Sequence, residues 1–282
     1  MKSPIVSSHW LENNLHNKQV VLLDASMSKV VGKKPIEYAQ PKYIPTSKRF
    51  DLENVFCDLT SSQHNAFPTQ IQFNQAVQAL GINSDSIVVL YDNQGIYSAP
   101  RAWWIFQAMG FNNAVVLDGG LPQWLLENRA TVDDLSSNGS KQGNMSAEYQ
   151  ADLVCDANYI LDNINNDKLT VVDARSATRF SGIDEEPRAG VRSGHIPHSL
   201  NLPFAGVLDN HRFKNPTQLA EVFSELLASD NENSQLVFTC GSGITACIIM
   251  LAAVIAGYQN TVLYDGSWSD WGSNNALPIE KS

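Results

Sequence analysis

Cys240 opens the run Cys-Gly-Ser-Gly-Ile-Thr-Ala, between the apolar run Leu236–Phe238 and the long apolar stretch Ile244–Ala256. Gly241 and Gly243 let the loop fold so that successive amide N–H groups turn inward as an anion nest. A helix N-terminus behind the loop adds partial positive charge. A thiol so placed is expected to ionise more readily, and the same amides can hold a persulfide or sulfenate anion. Cysteine-based phosphoryl transfer needs an arginine six residues after the nucleophile to clamp phosphoryl oxygens. That residue is Ala246, which disfavours a phosphatase. Sulfur transfer needs only the thiolate, the cradle and a donor site. The competing reading is that Cys240 is a small buried hydrophobe. Cys57, Cys155 and Cys247 have no comparable setting, and Cys247 lies in the apolar stretch, where core packing explains it.

The elements that would position this loop occur twice. VVLLDAS (Val20–Ser26) resembles LTVVDAR (Leu169–Arg175), and IVVLYD (Ile87–Asp92) resembles QLVFTC (Gln235–Cys240). GFNNAVVLDGGLPQW (Gly110–Trp124) resembles GYQNTVLYDGSWSDW (Gly257–Trp271). Asp24 to Asp173 is 149 positions, Asp92 to Cys240 is 148, and Asp118 to Asp265 is 147. One offset over three separated segments implies tandem domains, since solenoid repeats run only about 20–50 residues. Strands are expected at Val20–Leu23, Ile87–Leu90, Val115–Leu117, Leu169–Val172, Leu236–Phe238 and Thr261–Leu263. Helical patterns such as Gln70–Leu80 and Pro216–Ala228 lie between them. Short continuous apolar runs alternating with helices predict α/β domains, each a mainly parallel sheet flanked by helices. The division expected is residues 1–132, a linker at 133–147 centred on the Ser-, Gly- and Asn-rich Asp133–Asn144, and residues 148–282. Asp92 stands where Cys240 stands, and an aspartate carries no transferable sulfur. The first domain is therefore expected to be non-catalytic, a scaffold and cleft wall.

Composition bounds the rest. The chain has 282 residues, enough for two domains, and is 43% hydrophobic with a net charge of −10. An acidic balance argues against nucleic acid as a partner. The first residues, from Met1, contain no apolar core of a signal peptide, and Ile244–Ala256 is shorter than the ~20 residues of a membrane span. It is expected to be a buried helix. Four cysteines without paired spacing predict neither a disulfide framework nor a zinc site, and fit a reducing cytoplasm.

On these motifs the chain resembles the two-domain rhodanese family throughout its length. Cys240–Ala246 is similar to the CGSGVTA loop of its 3-mercaptopyruvate sulfurtransferases, with Ile244 in place of valine. The resemblance implies that Gly241, Gly243, Ile244 and Thr245 frame the substrate. Thiosulfate sulfurtransferases usually carry Arg and Lys after the cysteine, which suit a dianionic donor; the neutral Gly241 and Ser242 favour mercaptopyruvate. DARSATRF (Asp173–Phe180) and EEPR (Glu185–Arg188) resemble the stretch holding two substrate arginines, here Arg179 and Arg188. Guanidinium forks suit the carboxylate of an α-keto acid; the alternative is surface pairing with Glu185 and Glu186. A proton relay of Ser242, His64 and Glu53 is implied, with Glu53 standing where many members have aspartate. Taken alone, His64 reads as a solvated loop histidine. His195 in SGHIP is expected to fix a turn, and Arg101 with Trp103, Trp104, Trp268 and Trp271 to be structural.

The expected activity is transfer of sulfur from 3-mercaptopyruvate through a Cys240 persulfide to a thiol, such as thioredoxin, or to cyanide, with no metal or organic cofactor. The rivals are a thiosulfate sulfurtransferase and a non-enzymatic sulfur-carrier module; a spoiled second-domain loop, the feature of the latter, is not seen. Two complete domains need no partner for closure, so a monomer is expected.

Overall fold

The computed structural model describes residues 3–137, 141–227 and 234–282. Five strands build the first sheet: Ile5–Val6 (β1), Val20–Asp24 (β2), Lys48–Arg49 (β3), Ile87–Tyr91 (β4) and Ala114–Leu117 (β5), in the order β1-β5-β4-β2-β3. Every pairing is parallel. The helices are Ser8–Asn14 (α1), Gln70–Ala79 (α2), Ala99–Ala108 (α3) and Gly120–Leu126 (α4). Strand β4 reads Ile-Val-Val-Leu-Tyr and is buried after its first residue, as a central strand covered on both faces must be. Thr69 starts α2 with a capping box, its hydroxyl accepting from the Gln72 N–H while the Gln72 side chain takes the Thr69 N–H.

The second unit repeats the plan. Its sheet holds Val154–Cys155 (β6), Leu169–Asp173 (β7), Leu200–Asn201 (β8), Gln235–Thr239 (β11) and Thr261–Tyr264 (β12), in the order β6-β12-β11-β7-β8, again parallel throughout. Leu208–Asp209 (β9) belongs to this unit, and Arg212–Phe213 (β10) to the first, where the Phe213 N–H donates to Asp118. Ala157–Asp162 (α5), Ala177–Phe180 (α6), Pro216–Leu227 (α7), Ala246–Ala256 (α8) and Ser267–Trp271 (α9) complete it. Ala228, the expected last residue of α7, lies outside the described residues. The two sheets have one topology, as the repeated motifs require. Helix α8 is buried along Ala246–Ala253 and ends at Gly257, whose φ of 106° suits a residue without Cβ. No helix among the described residues is long and apolar enough to cross a membrane.

Contacts divide the chain differently from the linear reading. The first unit comprises the residues up to Leu59, Phe67–Gln150 and Asn210–Phe213; the second comprises Thr60–Ala66, Ala151–Asp209 and Lys214–Ser282. The segment expected to be a linker packs on the first unit where it is described. Gly143 donates to the Gln78 carbonyl, Met145 donates to that of Ile82, and Met145 is 2% exposed; residues 138–140 lie outside the described residues.

Candidate active site

Cys240 follows β11, at the carboxyl end of the sheet, where open α/β folds bind ligands. Backbone bonds fix it there. Its N–H donates to Ser267 Oγ at 3.2 Å, while its carbonyl accepts from Trp268 N–H at 2.9 Å. The Gly241 carbonyl accepts from Ser269 N–H at 2.9 Å. The start of α9 is thus fastened to the loop. Ser267 holds φ 52°, the conformation its repeat counterpart Gly120 adopts at 51°. The Ser267 hydroxyl in turn donates to the Tyr264 carbonyl. Gly243 turns the loop at φ 79°, and Thr245 is the residue preceding α8. Ile244 is buried and its carbonyl accepts from Cys247. Cys247 is fully buried, its thiol directed at the Gly243 carbonyl 3.2 Å away, consistent with the expected core role.

Both expected arginines belong to this unit. The Arg179 guanidinium lies over Gly241: a Cβ at 241 would come 3.1 Å from its Nη2. Arg179 is held by Glu186, with Nη2 2.5 Å and Nε 3.2 Å from the carboxylate. The same carboxylate takes Arg175 Nη1 at 2.8 Å. Arg175 is wholly buried, forked on Asp173, bonded to the Gly194 carbonyl, and lies 4.4 Å over the Trp268 ring. So the pairing expected as the alternative to ligand binding exists for Arg179, yet Glu186 is 3% exposed and acts as a buried bracket, not a surface partner. Arg188 differs. It makes no ion pair or side-chain hydrogen bond among the described residues. Burial pulls its pKa down, the Cys240 charge opposes that, and neighbouring Arg179 lowers it further. Arg188 therefore lies in the electrostatic field of both Cys240 and Arg179. The Glu186 carboxylate, already engaged by Arg175 and Arg179, also acts on Arg188 and raises its pKa, so burial and Arg179 are opposed by Cys240 and Glu186 together.

The segment Thr60–Ala66 supplies a further wall to this unit. Gln63 Nε2 donates to Asp265 at 2.5 Å, and Asn65 Nδ2 donates to Ser242 Oγ at 3.0 Å. His64, between them, is solvent-exposed. Glu53 lies in the first unit, its two oxygens taken by the Ser28 N–H at 2.9 Å and the Ser28 hydroxyl at 2.5 Å. The hydrogen bond to Ser242 thus comes from Asn65, a residue the sequence reading did not single out. Glu186 was expected only as a surface partner of the arginines; Arg175 and Ser267 were missed as positioning residues, and of these Ser267 carried a signal, through its repeat counterpart Gly120.

The counterpart of the Cys240 loop in the first unit is already filled. Asp92 is fully buried, and its Oδ2 accepts the N–H groups of Tyr97, Ser98 and Ala99 at 2.8–2.9 Å. His195 fixes a turn as expected: it stacks on Phe180 at 3.9 Å, and its Nδ1 lies 2.8 Å from the Phe180 carbonyl. Arg101 and the four tryptophans are core residues. Among the described residues no cluster of three or more His, Cys, Asp or Glu could hold a metal.

A buried cysteine at the end of a parallel strand, with the Arg179 guanidinium over the residue that follows it, is an arrangement suited to thiol chemistry. The Rhodanese-like domain family matches the chain twice, at residues 7–127 and 156–274. The mouse 3-mercaptopyruvate sulfurtransferase is 35% identical over 275 residues, covering 95% of this chain and 91% of that protein. The rat thiosulfate sulfurtransferase is 33% identical over 275 residues, with the same coverages. The crystal structure of SseA from Escherichia coli, described as a 3-mercaptopyruvate enzyme with the rhodanese fold, superposes with a TM-score of 0.81 at 28% identity, covering 94% of this chain and 99% of that one. The chain belongs to the rhodanese family and carries its domain in tandem.

Proposed function

We propose that the protein is a 3-mercaptopyruvate sulfurtransferase working through a Cys240 persulfide. The observation that carries the reading is the buried Cys240 at the end of β11 with the Arg179 guanidinium over the adjacent Gly241, beside an Arg188 that makes no ion pair among the described residues. A donor with one carboxylate and a nearby sulfur fits that pair. The Cys240 thiolate attacks the donor sulfur, an S–S bond forms, and the carbon–sulfur bond breaks to leave the pyruvate enolate. The donor's thiol proton ends on that carbon, so thiolate plus mercaptopyruvate gives persulfide anion plus pyruvate. An acceptor thiolate then attacks the outer sulfur and Cys240 returns as thiolate; cyanide would leave as thiocyanate. Loop amides from Gly241 to Thr245 hold the persulfide charge.

Ser242 and His64 handle the proton, and Glu53 enters by family resemblance alone. The first domain is non-catalytic because Asp92 carries no transferable sulfur. The acceptor class is a thiol, with a reduced thioredoxin as one candidate, and the working form is a monomer. Four free cysteines fit a reducing cytoplasm.

The neutral Gly241 supports the favoured donor. A cationic side chain there, as in thiosulfate-type loops, would press on the like-charged Arg179, since even a Cβ would lie 3.1 Å from its Nη2. Steady-state assays with both donors test the reading: kcat/KM is expected to favour mercaptopyruvate, and a strong preference for thiosulfate would overturn it.

A further inference from the structure

Asn65 sits 177 positions before Ser242 yet contacts it twice through one nitrogen, at 3.0 Å from Oγ and 3.4 Å from the carbonyl. That carbonyl can only accept, so the amide must present its NH2 face to Ser242. The serine oxygen therefore accepts from Asn65, and its single proton is left to donate. Ser242 Oγ has no other hydrogen-bond partner among the described residues. Ser242 is two residues after Cys240 in the same loop and 9% exposed, which leaves that proton available to a molecule bound at the loop. Asn65 holds φ 56°, a left-handed conformation that asparagine adopts more readily than most residues. The neighbouring bond from Gln63 to Asp265 pins the same segment.

We infer that Asn65 is a positioning residue: its amide fixes Ser242 as a proton donor toward the donor ketone oxygen, which carries the negative charge when the carbon–sulfur bond breaks. This rests on the sulfurtransferase reading above. No atom is transferred from Asn65; it sets the polarity of the Ser242 hydroxyl.

Asn65→Asp tests the polarity with the shape kept, because an aspartate would accept the Ser242 proton instead of donating. It is expected to lower kcat for mercaptopyruvate by about 10- to 100-fold with KM within about twofold. The deficit relative to wild type should shrink as pH falls and the new carboxyl regains a proton to donate. Asn65→Gly, which keeps the backbone conformation accessible, should show a smaller kcat loss without that pH trend. In a Ser242→Ala background, Asn65→Asp should cost nothing further. Equal kcat in Asn65→Asp and wild type, or multiplicative losses in the double variant, would overturn the inference alone. Mass spectrometry of wild-type protein mixed with mercaptopyruvate reads the underlying function separately: no added sulfur on Cys240 overturns that function, and the inference with it.

Discussion

Arg179 and Arg188 differ in how they are held: Arg179 is bracketed by Glu186, whereas Arg188 makes no ion pair among the described residues. Under the proposed function, Arg188 takes the donor carboxylate. Arg188→Ala is therefore expected to raise KM for mercaptopyruvate by about 10- to 100-fold, the weight of charge-assisted hydrogen bonds; an unchanged KM would remove Arg188 from the site. The cysteines should also separate chemically. Burial and the charges of Asp156 and Asp265 push Cys155 up to about 12, and burial with Asp51 raises Cys57. Cys155 should then be thiolate in roughly one molecule in ten thousand near pH 8. After mercaptopyruvate treatment, peptide mapping should find persulfide on Cys240 and none on Cys155 or Cys57. Cys240 was legible because its chemistry and its glycines lie in one short run. Asn65 was not, because an asparagine in a polar loop has meaning only through partners brought near by folding; Glu186 was legible as an arginine partner but not as a buried one, since burial depends on the folded surroundings.

The loop between β11 and α8 is held from outside by α9, and from above by the Arg175–Glu186–Arg179 bracket. Glu186→Gln leaves Arg175 short of a charge partner in a buried setting. It should destabilise the protein by about 3 kcal/mol, read as a lower urea midpoint, and it should also raise KM because Arg179 loses its anchor. Gly241→Ala tests the same geometry with one methyl group. Its Cβ would lie 3.1 Å from Arg179 Nη2, so the guanidinium must shift by tenths of an ångström. Mercaptopyruvate kcat/KM should fall severalfold with thermal stability nearly unchanged; a full-activity Gly241→Ala would refute the close approach. The long buried strands and α8 were readable from continuous apolar runs. The two-residue edge strands β1, β3, β6 and β8 were not, because two residues show no period.

At the scale of the chain, the repeat was visible in the offsets between Asp24 and Asp173, Asp92 and Cys240, and Asp118 and Asp265. The assignment of Thr60–Ala66 to the second unit was not, since it depends on hydrogen bonds from Gln63 and Asn65 to residues far along the chain. Asp92→Asn can keep its oxygen on the N–H groups of Tyr97, Ser98 and Ala99 but turns an NH2 toward the Gln94 N–H that Oδ1 now accepts, and should cost about 1–3 kcal/mol. Turnover by the folded variant should stay within about twofold of wild type; abolished turnover would give the first domain a chemical role. The carboxylate of Asp92 has a consequence for measurement as well. Its amide nest is occupied by its own carboxylate, whereas under the proposed function the loop of Cys240 would alternate between a thiolate and a persulfide load. Hydrogen exchange at Tyr97, Ser98 and Ala99 should therefore be blind to turnover, while exchange at Gly241–Thr245 should slow when sulfur is loaded. One chain thus carries a working gauge and its own fixed reference.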